Sequence, residues 1–591
     1  MLIRNDYKPY MVCEEKKTAA VVRNSGGRLA VLTAVIGMAF VFLVAYGVFS
    51  QIRNSAILSK ESDERLIRSI KEPALRGMIT DRNGAVLAVS RHIKMPTFNP
   101  KKIYEPKRKG DEINWNVISD AQFTKLAALL KLPESEVRAK LQDLDSTYVN
   151  FKTKLTLEEA DTLMALKIPS LRFEESTERS YPTGRLFSHI VGFANSNGVG
   201  LEGLEKLQNK PLTGFDGKQI VLRDRYQNVI ELLDSPENVS AQSGQTLVLS
   251  VDEAMQRLAN EELGKALQHF QAKAGGVVVL DAQTGEILAM SSFPDYDANY
   301  YPAFEAETWK NFAVASTMEP GSIIKPFIVA KALDDGKINA NTLFDTRPYS
   351  IGKKIIQDTH FYPNLDAQGI LQKSSNVGVS KIAAMYDNQQ MYDYYSNVGV
   401  GRKTQSGVGG EQYVALAPAH KWGKLDKAVM SYGYAIGVNL LQMAQAYTIF
   451  TADGQLMPAT IFKQYGQAQG TLVIKPETAR LMRRLMVSVT QKGGTGQSGA
   501  IEGYDVAGKT GTARKSINGK YVEGKYTASF VGFAPAEAPR LIVAVSIDEP
   551  SGKGFYGGTV AGPVFREVMS GGLKLLGVKP THTSDSTINK S

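Results

Sequence analysis

Ser322 and Lys325 stand three residues apart in the run Glu319-Pro320-Gly321-Ser322-Ile323-Ile324-Lys325-Pro326-Phe327. If the run is helical, that spacing sets a hydroxyl and an amine on one face. The continuation, Ile328-Val329-Ala330-Lys331-Ala332-Leu333, is apolar at helical spacing and predicts a buried helix. Pro326 lacks an N–H and is tolerated only in the first helical turn, so Ser322 falls at the helix N-terminus. A serine beside an amine, at the positive end of a helix dipole, is a candidate activated nucleophile with a place for an oxyanion. Taken alone, the pair is equally an N-cap serine with a solvated lysine. A second copy of the pattern, Ser350 to Lys353, is followed by no apolar helix and is set aside.

Two further motifs lie downstream. Lys373-Ser374-Ser375-Asn376-Val377-Gly378 places a hydroxyl (Ser374) and an amide (Asn376) two residues apart at a loop-to-helix junction. Ser516-Ile517-Asn518 matches Ser-x-Asn as well, and a turn is the plain reading of either. Gly508-Lys509-Thr510-Gly511-Thr512-Ala513 sits on a predicted strand. Gly511 would let a ligand backbone approach closely. Lys509 with the hydroxyls of Thr510 and Thr512 can receive a carboxylate. The ordered set is what is specific. Ser-x-x-Lys on a helix, then Ser-x-Asn, then Lys-Thr-Gly on a strand is the signature of penicillin-recognising serine acyltransferases. Gaps of 52 and 135 residues leave room for a helical subdomain and its return to a sheet.

The chain that must position these groups has 591 residues, too many for one compact core. At 43% hydrophobic and 22% charged it is a folded protein. The net charge of +10 is spread along the chain without a nucleic-acid-binding arm, and suits an anionic membrane surface or polymer. Cys13 is the single cysteine, so no disulfide framework exists. The six histidines are scattered, none beside a second His or Cys at metal-ligand spacing, so no zinc site is expected.

Residues 1–28 form a polar segment, and Leu29 to Phe49 carry no charge over 21 residues. At about 1.5 Å per residue these span roughly 30 Å, the thickness of a bilayer core. No cleavage site for a signal peptide is evident, so the stretch predicts one uncleaved anchor helix. Arg23 and Arg28 favour a cytoplasmic N-terminus. Residues 50 to about 72 predict a juxtamembrane helix, and 50–245 a mixed pedestal domain. Within the pedestal, Asn83-Gly84 marks a hairpin, and helices are expected over Asp120 to Leu132 and Leu157 to Leu166. Beyond a boundary near Ser243-Gly244, residues 246–576 read as α/β. Strands are expected at Thr246 to Ser250, Gly275 to Leu280, Gly285 to Met290, Tyr504 to Thr512, Ala528 to Phe533 and Arg540 to Ile547, most of them in one antiparallel sheet. Residues 577–591 predict a polar tail without packed structure.

With these motifs in place the chain resembles a division-type class B penicillin-binding protein, the FtsI kind. The residues that carry the likeness are Arg76-Gly77, Asp81-Arg82-Asn83-Gly84, Tyr181-Pro182, Gly200 to Lys206, Asp224-Arg225-Tyr226, Glu319 to Ser322, Ser374 to Lys381, Lys509 to Lys515 and Tyr556-Gly557-Gly558. One departure is Ile323-Ile324, where the family usually has a threonine first, and it could alter the pocket wall. The resemblance implies a penicillin-binding transpeptidase fold, an antiparallel sheet flanked by helices plus an all-helical subdomain. It implies a membrane-anchored peptidoglycan D,D-transpeptidase with its catalytic domain in the periplasm, no cofactor and no nucleic-acid partner. Stem peptides are the implied substrates and β-lactams the implied inhibitors. A SEDS-family glycan polymerase and other division proteins are the implied partners.

The resemblance also implies the roles. Ser322 is the nucleophile and Lys325 the general base. Near pH 7 a neutral Lys325 requires a pKa about three units below that of an ordinary lysine, with burial and the second cation at Lys509 as the available causes. Ser374 relays a proton to the leaving D-alanine, and Asn376 holds the donor amide. Lys509, Thr510, Gly511 and Thr512 take the terminal carboxylate, and the backbone N–H groups of Ser322 and Thr512 form the oxyanion hole. Other readings stay open on the residues alone: a membrane-anchored D,D-carboxypeptidase or β-lactamase, an elongation-type or condition-specific paralogue, and a non-enzymatic sensor or scaffold. A bifunctional enzyme would need a glycosyltransferase domain, and residues 50–245 show no acidic pair for one.

Overall fold

The computed structural model describes residues 26–105, 110–224, 229–517 and 519–582. Cys13, Arg23, Arg225, Tyr226, Asn518 and residues 583–591 lie outside the described residues. Contacts divide the chain into two compact units, residues 1–71 with 218–239, and residues 72–217 with 240–591.

The first unit holds helix α1 (Gly26–Leu66) and a three-stranded sheet in the order β1-β6-β7, built from β1 (Ile67–Glu72), β6 (Gly217–Arg223) and β7 (Val229–Leu232). The part of α1 over Gly26–Arg53 is long and apolar enough to cross a membrane, and its large side chains, Phe40 and Phe42 among them, are exposed. The helix expected to run to residue 72 stops at Leu66 and continues as β1. The partners of β1 come from about 150 residues later, so no local signal announces it.

In the second unit, the pedestal sheet has the order β4-β3-β2-β8, with β5 also paired to β3. Its strands are β2 (Ile79–Thr80), β3 (Val86–Phe98), β4 (Val149–Asn150), β5 (Arg172–Ser180) and β8 (Leu247–Val248). β2 and β3 flank the Asn83-Gly84 turn as expected. β8 runs parallel to β2, pairing Ile79 with Leu247. The strand expected to open the catalytic region therefore belongs to the pedestal sheet. Helices α2 (Asp120–Leu130), α3 (Glu134–Leu141) and α4 (Leu157–Met164) close a small core around Phe98, Phe123, Leu126, Val137 and Leu163. Ser119 and Thr156 start α2 and α4 with reciprocal capping boxes. Glu205 is fully buried between two guanidinium groups, Arg76 Nε at 2.5 Å and Arg179 Nε at 2.7 Å.

The catalytic region is organised on a five-stranded antiparallel sheet in the order β10-β9-β13-β12-β11. The strands are β9 (Ala274–Asp281), β10 (Ile287–Phe293), β11 (Ala507–Ile517), β12 (Lys520–Ala534) and β13 (Leu541–Asp548). Val277 and Val279 face one core, with helices α5 (Glu253–Phe270) and α10 (Gly557–Leu575). Val278 and Leu280 face the other, a larger core built with the helical subdomain. A strand with period-two side chains and both faces covered reads as a continuous apolar run, as Val277-Val278-Val279-Leu280 does. The helical subdomain includes α6 (Lys325–Asp334), α7 (Ala367–Lys373), α8 (Asn376–Ala383) and α9 (Asn388–Asn397). The start of the expected tail is packed: Tyr504 donates to the Val578 carbonyl at 2.7 Å and Thr581 N–H to the Gly503 carbonyl at 2.8 Å.

Candidate active site

Ser322 lies in a short 3-10 turn, Gly321–Ile324, that leads directly into α6, with Pro326 in the first helical turn as its chemistry requires. The turn is seated by backbone approach. Gly321 has φ of +55°, and its N–H donates to the Gly433 carbonyl at 3.0 Å. A side chain at Gly433 would put its Cβ 2.0 Å from the Gly321 carbonyl oxygen. Ile323 and Ile324 are fully buried, and Tyr447 donates to the Ile323 carbonyl at 2.9 Å. Their side chains belong to the core between sheet and helices, so they do not form the pocket wall that the sequence suggested. Ser322 itself is half-buried, and its hydroxyl has no hydrogen-bond partner among the described residues.

Lys325, one turn on, is fully buried. It donates to the Ser374 carbonyl at 2.6 Å, to Ser374 Oγ at 3.2 Å and to Asn376 Oδ1 at 2.7 Å. The first and second motifs thus meet through one ammonium group. Ser374 closes α7 with φ of +60°, and Ser375 caps α8, which begins at Asn376. The junction is clamped by a residue that the sequence reading missed. Asp358 accepts from Ser375 Oγ at 2.5 Å through one carboxylate oxygen, and from the N–H groups of Asn376 and Val377 at 2.5 and 2.9 Å through the other. A carboxylate at a helix N-terminus is the expected use of those free donors. Only tertiary folding brings it there, so nothing local in the sequence marks it.

Lys509, Thr510, Gly511 and Thr512 lie on β11, the edge strand beside the 3-10 turn. Gly511 makes that contact possible. A Cβ there would sit 2.3 Å from Ser529 Oγ and 3.0 Å from both Ile323 Cγ2 and the Pro320 carbonyl oxygen. The room a glycine provides is taken by Ser529 of β12 and by the Ser322 turn, where the sequence reading reserved it for a ligand. Lys509 is fully buried and, among the described residues, hydrogen-bonds only to Thr510, its carbonyl at 3.1 Å and its hydroxyl at 3.4 Å. Thr510 donates to Thr495 Oγ1 at 2.8 Å, and Thr512 Oγ1 accepts from the Gly557 N–H at 2.9 Å. Thr495 is also absent from the sequence reading, where the glycine-rich run Gly493-Gly494-Thr495-Gly496 was the available hint; Gly557 was read there only as part of the Tyr556-Gly557-Gly558 likeness.

The two lysines set the electrostatics. Burial pulls Lys325 from 10.5 down to about 7, against the Asp358 carboxylate, which holds it up. Lys509 is pulled well below its ordinary value, first by burial and then by repulsion from Lys325. The sequence reading had the charge of Lys509 lowering Lys325. The structure favours the opposite order, because Lys325 has Asp358 nearby whereas Lys509, among the described residues, meets only the neutral oxygens of Thr510. Ser350 sits in a hairpin, opposite Ile355, and is exposed. A cleft of about 660 Å³ extends past Met318 and Glu319 along Ala513 and Arg514. Such a set can deprotonate a serine hydroxyl, hold an amide and receive an anion.

Comparison with known proteins points to one family. A penicillin-binding protein transpeptidase domain matches residues 275–570, and a penicillin-binding protein dimerisation domain matches residues 71–249. A probable peptidoglycan D,D-transpeptidase PenA from Neisseria gonorrhoeae is 44% identical over 581 residues, 98% of each chain. The peptidoglycan D,D-transpeptidase FtsI of Escherichia coli K12 is 35% identical over 94% of this chain and 92% of its own. A probable peptidoglycan D,D-transpeptidase PbpC of Pseudomonas aeruginosa is 34% identical over 91% and 93%.

Proposed function

This chain belongs to the class B penicillin-binding proteins, and we propose that it works as a peptidoglycan D,D-transpeptidase, cross-linking stem peptides through a Ser322 acyl-enzyme during septal wall synthesis. One observation carries the reading. A buried lysine near neutrality, Lys325, lies one turn from Ser322 and donates to both Ser374 and Asn376.

Neutral Lys325 takes the proton of Ser322 as Oγ adds to the carbonyl carbon of the penultimate D-alanine. Negative charge then develops on the carbonyl oxygen, which the backbone N–H groups of Ser322 and Thr512 stabilise. Collapse breaks the peptide bond. Lys325 returns a proton, through Ser374 Oγ, to the departing amine of the terminal D-alanine. An amine from a neighbouring stem peptide attacks the ester, and Ser322 leaves with its proton restored. Asn376 holds the donor amide. The Lys509 end of β11 takes the terminal carboxylate, whose arrival supplies the counter-charge that Lys509 lacks. A charged Lys509 in turn favours the neutral form of Lys325. A β-lactam follows the same first half and stops at the acyl-enzyme.

The apolar part of α1 supports a single-pass anchor in the bacterial cytoplasmic membrane, with the N-terminus cytoplasmic and the catalytic region periplasmic. A class B enzyme polymerises no glycan, so a SEDS-family polymerase and other division proteins complete the machinery. Mass spectrometry of the detergent-solubilised chain treated with benzylpenicillin tests the chemistry. A long-lived adduct on Ser322 is expected. An adduct elsewhere, none at all, or one lost within seconds would refute the reading. A fluorescent fusion tests the septal assignment, which signal along the side wall would overturn.

A further inference from the structure

The cleft beside β11 holds about 660 Å³, room for part of a stem peptide and no more. The sugar strand that carries the peptide must lie outside it. Val414 lines the cleft, and the residue before it, Tyr413, is 45% exposed. Lys403 Nζ lies 6.0 Å from the centre of the Tyr413 ring, and both Lys403 and Arg402 are exposed. The whole stretch is basic. Between Gly401 and Lys424, Arg402, Lys403, Lys421 and Lys424 are exposed, and none makes an ion pair among the described residues. The one acid of this stretch, Glu411, is buried and accepts from the Thr404 N–H at 2.8 Å and from Asn439 Nδ2 at 3.3 Å.

Tyr413 stands on a fixed backbone. The Gln412 N–H donates to the Val314 carbonyl at 2.8 Å, and the Gln412 carbonyl accepts from Asn439 Nδ2 at 2.9 Å. A Cβ on Gly437 would lie 2.5 Å from Val414 Cγ2, so the valine is packed hard into the cleft wall. A Cβ on Gly401 would lie 3.0 Å from the Leu416 nitrogen, so the two ends of the loop are held together. Little of this backbone has to be ordered when a partner binds, which keeps the entropic cost low.

We propose that Arg402, Lys403 and Tyr413 form a docking surface for the peptidoglycan strand whose stem peptide occupies the cleft. This rests on the transpeptidase reading above, in which the peptide arrives attached to a polymer. Such a strand presents the flat C–H faces of its sugars and the carboxylates of its stem peptides. An exposed ring covers the first, and unpaired cations meet the second. An anionic bilayer would also attract the cations, but continuity through Val414 joins this surface to the place where the stem peptide reacts.

The test uses the detergent-solubilised full-length chain, first acylated with benzylpenicillin so that Ser322 is blocked and the outer surface alone is read. Binding of fluorescently labelled, uncross-linked peptidoglycan strands is then followed by anisotropy. The double variant Arg402→Glu with Lys403→Glu should bind strands about tenfold more weakly, and Tyr413→Ala about fivefold more weakly. Both should be acylated at rates within about threefold of the wild type, since neither touches the reacting groups. Lys101→Glu with Lys102→Glu, at two adjacent exposed lysines of the pedestal, changes the net charge by the same amount and should leave strand affinity within about twofold. Unchanged strand affinity in either surface variant, an equal loss in the pedestal control, or an acylated wild type that binds no strand would overturn the assignment. So would a surface variant that loses affinity for phosphatidylglycerol vesicles but not for strands, which would make the partner a bilayer. A wild type that benzylpenicillin does not acylate would instead overturn the transpeptidase reading beneath it.

Discussion

Replacing Asp358 by asparagine should move the acid limb of the acylation–pH profile to lower pH. Lys325 titrates near pH 7, so about half of it is neutral there, against roughly one molecule in three thousand for a lysine at 10.5. Burial thus raises the supply of general base by about a thousandfold. In the wild type the acylation rate should drop about tenfold per unit below pH 7 and level off above it. The charged group that bears on Lys325 is the Asp358 carboxylate; the repulsion between the two lysines falls on Lys509. Asp358 favours the charged form, so removing its charge lowers the Lys325 pKa further and leaves more neutral base at pH 6. An asparagine oxygen can still accept from the N–H groups of Asn376 and Val377, but the second carboxylate oxygen that binds Ser375 becomes a donor. The plateau rate should therefore drop through a looser Ser374–Asn376 junction while the midpoint moves down. The assay is second-order acylation by a fluorescent penicillin between pH 5 and 9. A midpoint that rises or stays fixed would refute the electrostatic role, whatever happens to the plateau.

Three further outcomes follow from packing. Gly511→Ala forces a Cβ to within 2.3 Å of Ser529 Oγ and against the Ser322 turn, which should cost about 1–3 kcal/mol and slow acylation at least a hundredfold; acylation kinetics alongside thermal melting check it, and a variant with wild-type rate would sink the argument. Glu205→Gln leaves the guanidinium groups of Arg76 and Arg179 buried without an anion, which should destabilise by about 3–5 kcal/mol in urea unfolding; a loss under about 1 kcal/mol would show that water or relaxation replaces the carboxylate. Ile323→Thr puts a hydroxyl into an apolar core, so melting should register a loss of about 1–3 kcal/mol with acylation within a few-fold of wild type; a large change in β-lactam reactivity at unchanged stability would mean that this side chain reaches the cleft after all.

What the sequence disclosed and what it withheld divide along the range of the interactions. Ser322, Lys325, Ser374, Asn376 and Lys509 could be named as candidates because each motif is local and its order along the chain is informative, and the fold brings Lys325 onto Ser374 and Asn376. Pro326 marks a helix start by its own covalent chemistry, and Ser350 betrays itself as a decoy because no apolar helix follows. The groups that tune these residues carry no such mark. Asp358 is an ordinary loop acid until folding brings it to the N-terminus of α8, and Thr495 is an ordinary glycine-flanked hydroxyl until β11 pairs with it through Thr510. Gly511 shows the limit from the other side: its type implied a close approach, yet only the fold says that the approaching groups are Ser529 and the Ser322 turn and not a ligand. β1 and β8 were missed or misplaced for the same reason, since their partners lie far away along the chain. A motif names the reacting atoms. Their pKa values, and the shape of the anion site around them, are set by residues whose relevance exists only in three dimensions.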